Sequence, residues 1–181
     1  MSENIKAKLA DALIELTDYK SLDKITVKDL VEKCSISRQT FYYHYQDIVD
    51  VIEWILSKFT ESISSKTVSA KTPQEALTIF VDFVFESSNL VRKLTASRHR
   101  EYINRLIIQS IQTHLESMYL EKAPSPMMNF TDLKVAIKFH SYGLAGLLLE
   151  SVDAKDIDRE LLINQIHWLL SDSMIKNEGT E

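Results

Sequence analysis

A single cysteine, Cys34, three glycines and three prolines are all that 181 residues contain of these types. One thiol excludes an internal disulfide framework and a thiolate metal cluster, and it fits a reducing cytoplasm. Gly and Pro together fall far below the usual roughly 12%, which predicts few, long helices with short joints. Long apolar runs are missing too. "IFVDFVF" and "LAGLLLE" are too short to span a membrane, and the opening "MSENIKAKLADAL" lacks the apolar core of a signal peptide. Positive charge is not in excess. Net charge is −5, with seven Lys/Arg against nine Asp/Glu in residues 1–50 and 14 against 17 in the rest. That balance argues mildly against nucleic acid, so any such partner must meet a local basic surface. His99, His114, His140 and His167 are scattered, with no His-x-x-x-His pair and no Cys partner, so no metal site is expected. A glycine-rich phosphate loop and a Ser/His/Asp constellation are also absent. No cofactor and no catalytic residue is expected, and the chain does not read as an enzyme.

What is present is 45% hydrophobic residues, enough for a real core. Ile5, Leu9, Ala12, Leu13 and Leu16 recur at helical spacing in a first amphipathic helix over 3–18, and "YKSLDKI" reads as a joint. Thr26 caps "VKDLVEKC", with Asp29 as its capping-box partner, and Val27, Leu30, Val31 and Cys34 form one apolar stripe. Ser35-Ile36 breaks that helix, and Ser37 caps another starting at Arg38. Further helices are expected at 47–63, 73–88, 89–97, 99–122, 130–151 and 156–176. The breaks between them include the polar stretch 64–72 and "APSPMMN" at 123–129. Thr72-Pro73-Gln74-Glu75 is a strong helix start, combining an N-cap, a first-turn proline and a capping-box glutamate. The total is nine helices, and no strand is supported by periodicity: the fold class is all-α.

Phe41, Tyr42, Tyr43, His44 and Tyr45 stand in one unbroken run. Projected at roughly 100° per residue, Phe41 and Tyr45 share a face with the Leu30/Cys34 stripe. Gln39 and Tyr43 point almost oppositely, with Thr40 and Tyr42 on the flanks. The run is thus a packing face and a contact face on one helix. Two short helices joined by a tight turn, the second exposing Arg, Gln, Thr and Tyr, have helix-turn-helix geometry for the DNA major groove. Arg38 and Gln39 suit guanine and adenine edges, whereas Thr40, Tyr42 and His44 suit phosphate oxygens. Tyr43 suits a thymine methyl or the sugar wall. Thr26, Lys28 and Lys33 add donors on the preceding helix.

"ITVKDLVEKCSISRQTFYYHYQDIVDVI" resembles the DNA-binding domain of the tetracycline-repressor (TetR/AcrR) family of bacterial regulators. The match runs through Thr26, the turn Cys34-Ser35-Ile36-Ser37, and Tyr42-Tyr43-His44-Tyr45. Ser35 stands where the pattern has glycine. Ile48 stands where the family commonly has a phosphate-contacting lysine. "FHSYGLAGLLLESV" is similar to the subgroup of regulators linked to dihydroxyacetone kinase operons. The resemblance implies a nine-helix TetR-like architecture. Residues 1–48 would be the DNA-binding domain and residues 49–181 a helical effector-binding and dimerisation domain. It also implies a homodimeric regulator of transcription, most simply a repressor, whose double-stranded operator is released when an effector binds.

A small-molecule or protein effector held among the middle helices would meet Phe80, Phe83, Tyr102, Ile103, Phe139 and His140. Plain core packing is the alternative for each. Gly143 and Gly146 lie inside an apolar helical run, where each costs about 1 kcal/mol against alanine, and close helix–helix approach is the natural compensation. With Leu162, Ile166, Leu169 and Leu170 they are expected at the dimer interface. "SRHREYINRL" (97–106) gathers three arginines and a histidine, readable as a solvated helix start or as a contact for an anion or a partner protein. A runner-up reading, motivated by Ile48, Ser35 and the acidic balance, is a TetR-shaped adaptor that binds DNA weakly and acts through a partner protein.

Overall fold

A computed structural model describes residues 2–121, 130–154 and 156–175. Among these there is no strand. The helices are α1 (Ser2–Leu16), α2 (Val27–Cys34), α3 (Arg38–His44), α4 (Ile48–Thr67), α5 (Pro73–Glu86), α6 (Ser88–Thr95), α7 (Arg100–Glu121), α8 (Phe130–Asp153) and α9 (Arg159–Ile175), with one 3-10 turn at Leu22–Lys24. The all-α, nine-helix expectation holds over the described residues. The expected break at 123–129 lies outside them.

Two compact units emerge. One comprises Met1–Phe59 and Asn89–Leu106, the other Thr60–Ser88 and Ile107–Glu181. This division follows packing and does not run at residue 48: the first turns of α4 join the N-terminal helices in one compact unit. In the first unit α1 packs on α2 and α2 on α3. Its core gathers Leu9, Leu13, Leu30, Cys34, Phe41, Val51, Ile52, Leu94 and Ile103, all fully or almost fully buried. The Cys34 thiol is part of that core, donating weakly to the Lys8 carbonyl at 3.4 Å, and burial pushes its pKa up. It behaves as a small hydrophobe. In the second unit α5 packs against both α8 and α9. Phe80, Val81, Phe85, Ile111, Leu115, Ile137, Leu144, Leu148, Leu162, Ile163 and Ile166 form its core.

Local signals set most helix ends. Thr26 and Asp29 form a full capping box, and Thr40 N–H donates to Ser37 Oγ at 3.0 Å to open α3. Thr72 caps α5, although the Glu75 carboxylate accepts from Lys71 N–H at 2.7 Å, so the box closes one residue early. One boundary departs from expectation. α4 runs to Thr67 instead of ending near residue 63, because Ile63 and Thr67 are buried and their turn packs into the second core. Ser65 and Thr67 hydroxyls bond back to carbonyls of the same helix, so these poor helix formers are tolerated.

Ser35 ends α2 in the left-handed region, at φ 51° and ψ 46°. Ser35 N–H donates to the Glu32 carbonyl and Ile36 N–H to that of Val31, at 3.1 and 3.0 Å. These are the paired bonds of a Schellman ending, in which glycine is the residue without steric cost. Ser35→Gly is therefore expected to stabilise the protein by about 0.5–1 kcal/mol, after the extra entropy of an unfolded glycine is offset. Urea unfolding followed by circular dichroism checks this; a lowered midpoint would mean that the hydroxyl contributes more than the strain costs.

Candidate nucleic-acid interface

The α2–turn–α3 segment separates its aromatic run into the two expected sets. Phe41 is 0% exposed and Tyr45 nearly buried, their ring centroids 6.0 Å apart. Burial, with Asp50 adding to it, pushes the Tyr45 phenol well above its ordinary range, so it stays protonated. Tyr43 is 82% and Tyr42 58% exposed. Arg38 and Gln39 are exposed on the first turn of the same helix. Tyr42 meets Phe41 edge-on at 5.4 Å and Tyr43 meets His44 edge-on at 5.0 Å, so each exposed ring is held by a neighbour. Ser37 and Thr40 hydroxyls lie 2.9 Å apart, which binds Thr40 into the cap.

The polar groups of α2 are already engaged. Thr26 donates its hydroxyl and its backbone N–H to Asp29 Oδ2, both at 2.7 Å, so the hydroxyl proton expected to reach phosphate is used within the cap. Lys20 reaches the same carboxylate oxygen at 2.7 Å. That bond, followed by those from Thr26, holds the Asp29 carboxyl at about 2, below its ordinary 3.8. Lys28 pairs with Glu32 at 3.6 Å and Lys33 with Glu15 at 2.6 Å. Among the described residues Arg38 has no ion pair.

The amino end of α4 carries its own acids. Asp47 Oδ1 accepts from Val49 and Asp50 N–H at 2.7 and 3.1 Å, and Asp50 Oδ2 accepts from Gln46 N–H at 2.6 Å. Asp47 was not among the expected site residues, yet it was legible: an aspartate before an apolar helical run is an ordinary N-cap.

The expected effector residues fall in both compact units. Tyr102 and Ile103 belong to the first unit, Phe80, Phe83, Phe139 and His140 to the second. Ile103 is fully buried, and the Tyr102 hydroxyl donates to the Glu53 carboxylate. Phe80 is buried and stacks on His114, centroids 5.4 Å apart with the planes 6° from parallel. His114 is almost fully buried, and burial lowers its pKa and favours the neutral ring. Phe139 is 74% exposed, and its ring lies edge-on to that of the buried His140, centroids 5.8 Å apart.

The interface expectation divides as well. Leu162 and Ile166 are buried in the core of their own unit, and Leu170 packs against that core, so these three are not free for a partner. Leu169 is exposed. Gly143 and Gly146 are exposed, and a Cβ at either meets no atom within 4 Å, so nothing among the described residues offsets their cost. They lie beside exposed Val135, Phe139, Tyr142 and Leu147 on α8; Leu161 and Trp168 are exposed on α9. The signal for the α8 stripe is the 4-3-4 spacing of Val135, Phe139, Tyr142 and Gly146. It was hidden by a second apolar stripe on the same helix. Two of the three arginines of "SRHREYINRL" have local partners: Arg98 Nε lies 4.0 Å from the Asp23 carboxylate and the Arg105 guanidinium 5.4 Å from the Tyr102 ring centre.

No family model matches the chain. A 77-residue stretch, 42% of the chain, is 27% identical to an uncharacterized HTH-type transcriptional regulator, YxbF, of Bacillus subtilis (strain 168), and spans only 20% of that relative's length. Solved structures match over nearly the whole chain. Lin0861 from Listeria innocua aligns with a TM-score of 0.70 at 19% identity, over 94% of this chain and 91% of that one. The dihydroxyacetone kinase operon activator DhaS aligns at 0.67 and 18%, over 94% and 96%. A TetR transcriptional regulator from Streptococcus agalactiae 2603V aligns at 0.67 and 16%, over 93% and 94%. At these identities the likeness is one of fold.

Proposed function

From a chain that has the fold of TetR-family transcriptional regulators, we propose a sequence-specific regulator of transcription that binds double-stranded operator DNA as a homodimer. The observation that carries this reading is the two-faced helix α3: Arg38, Gln39, Tyr42 and Tyr43 exposed above buried Phe41 and Tyr45. A helix of this kind fits the major groove, and its first-turn Arg and Gln reach base edges. Residues 1–48 are the DNA-binding region and residues 49–181 hold the effector and dimer functions. The dimer face is the exposed apolar surface of α8 and α9. A small-molecule or protein effector favours one dimer conformation by its differential affinity and so sets operator occupancy. An occupied operator blocks polymerase, which makes the chain a cytoplasmic repressor, not an enzyme. Among the described residues no helix is long and apolar enough to cross a membrane.

The test is binding of the full chain to DNA upstream of its own gene, followed by random-sequence selection, with unrelated DNA as control. Arg38→Ala is expected to cost about 1–3 kcal/mol and to relax preference at one base pair per half-site. Uniform weakening on every sequence would assign Arg38 to phosphate. Failure to bind any selected DNA would favour the adaptor reading, in which this fold acts through a protein partner.

A further inference from the structure

We propose that the acids of the helix-turn-helix, Glu32 and Asp47 above all, hold down sequence-independent DNA affinity, so that only DNA read by base contacts is bound tightly. This rests on the DNA-binding reading above. Between Thr26 and Asp50 the chain carries Lys28, Lys33 and Arg38 against Asp29, Glu32, Asp47 and Asp50, a net charge of −1. The cations are also tied up: Lys28 by Glu32 and Lys33 by Glu15, which leaves Arg38, the residue aimed at a base, without an ion pair among the described residues. The amino end of α4 has free N–H groups and a positive dipole, ordinarily a place for a phosphate. Here the Asp47 carboxylate takes the Val49 and Asp50 N–H groups, the Asp50 carboxylate takes that of Gln46 just before the helix, and Ile48 supplies no charge beside them.

Sequence-independent DNA affinity comes almost wholly from cations displacing the counterions of phosphates. A surface whose cations are neutralised by its own acids forgoes that term on every sequence alike. The contacts that remain to discriminate between sequences are Arg38 and Gln39 to base edges and Tyr43 to a thymine methyl. The acids therefore lower affinity for random DNA more than they lower the ratio between operator and random DNA.

The experiment measures the full-length dimer across a salt series on two DNAs, a site obtained by random-sequence selection and a scrambled version of it. Wild type is expected to show a shallow log–log salt slope, about −2 to −4, on the selected site. Glu32→Gln with Asp47→Asn removes both charges. Asn is itself a good N-cap, and the Lys28–Glu32 pair is exposed, so the fold is expected to survive, as a thermal melt verifies. The double variant should bind scrambled DNA about tenfold more tightly and steepen the slope by about 2, as Lys28 of each subunit becomes available. Lys28→Gln alone should leave the wild-type slope nearly unchanged. A wild-type slope near −10, or no gain on scrambled DNA in the folded double variant, would overturn the inference while leaving the regulator reading intact. No selectable DNA for wild type would overturn both.

Discussion

Replacing Phe41 with alanine is expected to destabilise the protein by about 3–5 kcal/mol, lowering the thermal midpoint by about 10 °C or more. Phe41 is the most enclosed aromatic side chain of the first unit. It sits beside the Leu30 and Cys34 stripe of α2 and contacts the rings of Tyr42 and Tyr45. Truncation leaves a ring-sized cavity beneath the helix that presents Arg38 and Tyr43. α3 has only seven residues, too few to persist without packing, so DNA binding should be lost with the fold. Tyr43→Ala gives the contrast. That ring is exposed, so stability should change by no more than about 0.5 kcal/mol while DNA affinity falls. Denaturant unfolding and DNA binding measured on both variants separate the inward from the outward role. Equal loss of stability in the two would mean that Tyr43 is not a free contact residue.

Phe139→Asp is expected to convert the proposed dimer into a monomer without loss of helix. In the single subunit Phe139 faces water, so the substitution itself costs little. In a two-fold interface built on this face, the carboxylate and its symmetry mate would both be buried without partners, at several kcal/mol each. Sedimentation equilibrium reads the change. Operator affinity should drop by orders of magnitude, because a monomer engages a single half-site. Leu162→Ala gives the opposite pattern: about 2–5 kcal/mol lost from the second core, through a cavity within the subunit. A Phe139→Asp protein that stays dimeric would remove the α8 face from the interface.

The elements these predictions rely on were legible in the sequence because their causes are local. Thr26 with Asp29, Ser37 before Arg38, and Thr72-Pro73 specify helix starts within four residues, and each cap is formed. The split of the aromatic run into Phe41/Tyr45 and Gln39/Tyr43 follows from a 3.6-residue period alone. Ser35 in the left-handed region was signalled by its standing where the TetR pattern has glycine. What the sequence did not reveal is decided by partners far along the chain. The last turn of α4 holds because Ile63 joins the second core and Thr67 is buried with its hydroxyl on the Ile63 carbonyl, whereas its composition reads as a loop.

On α8 two apolar stripes compete, and periodicity makes either an equal candidate for burial. Only packing with α5 covers Ile137, Leu144 and Leu148 while leaving Val135, Phe139 and Tyr142 in water. The same holds for Leu162 and Ile166 on α9, which looked available and are covered. Charge follows this rule too. The sum over residues 26–50 was countable from the sequence, but the engagement of Lys33 by Glu15, eighteen positions away on α1, is a product of helix packing. Sequence determined which segments coil and where they stop, since hydrogen bonding and capping act over a few residues. Tertiary structure decided which faces and charges remain to meet a partner, since burial and ion pairing depend on what folds against them.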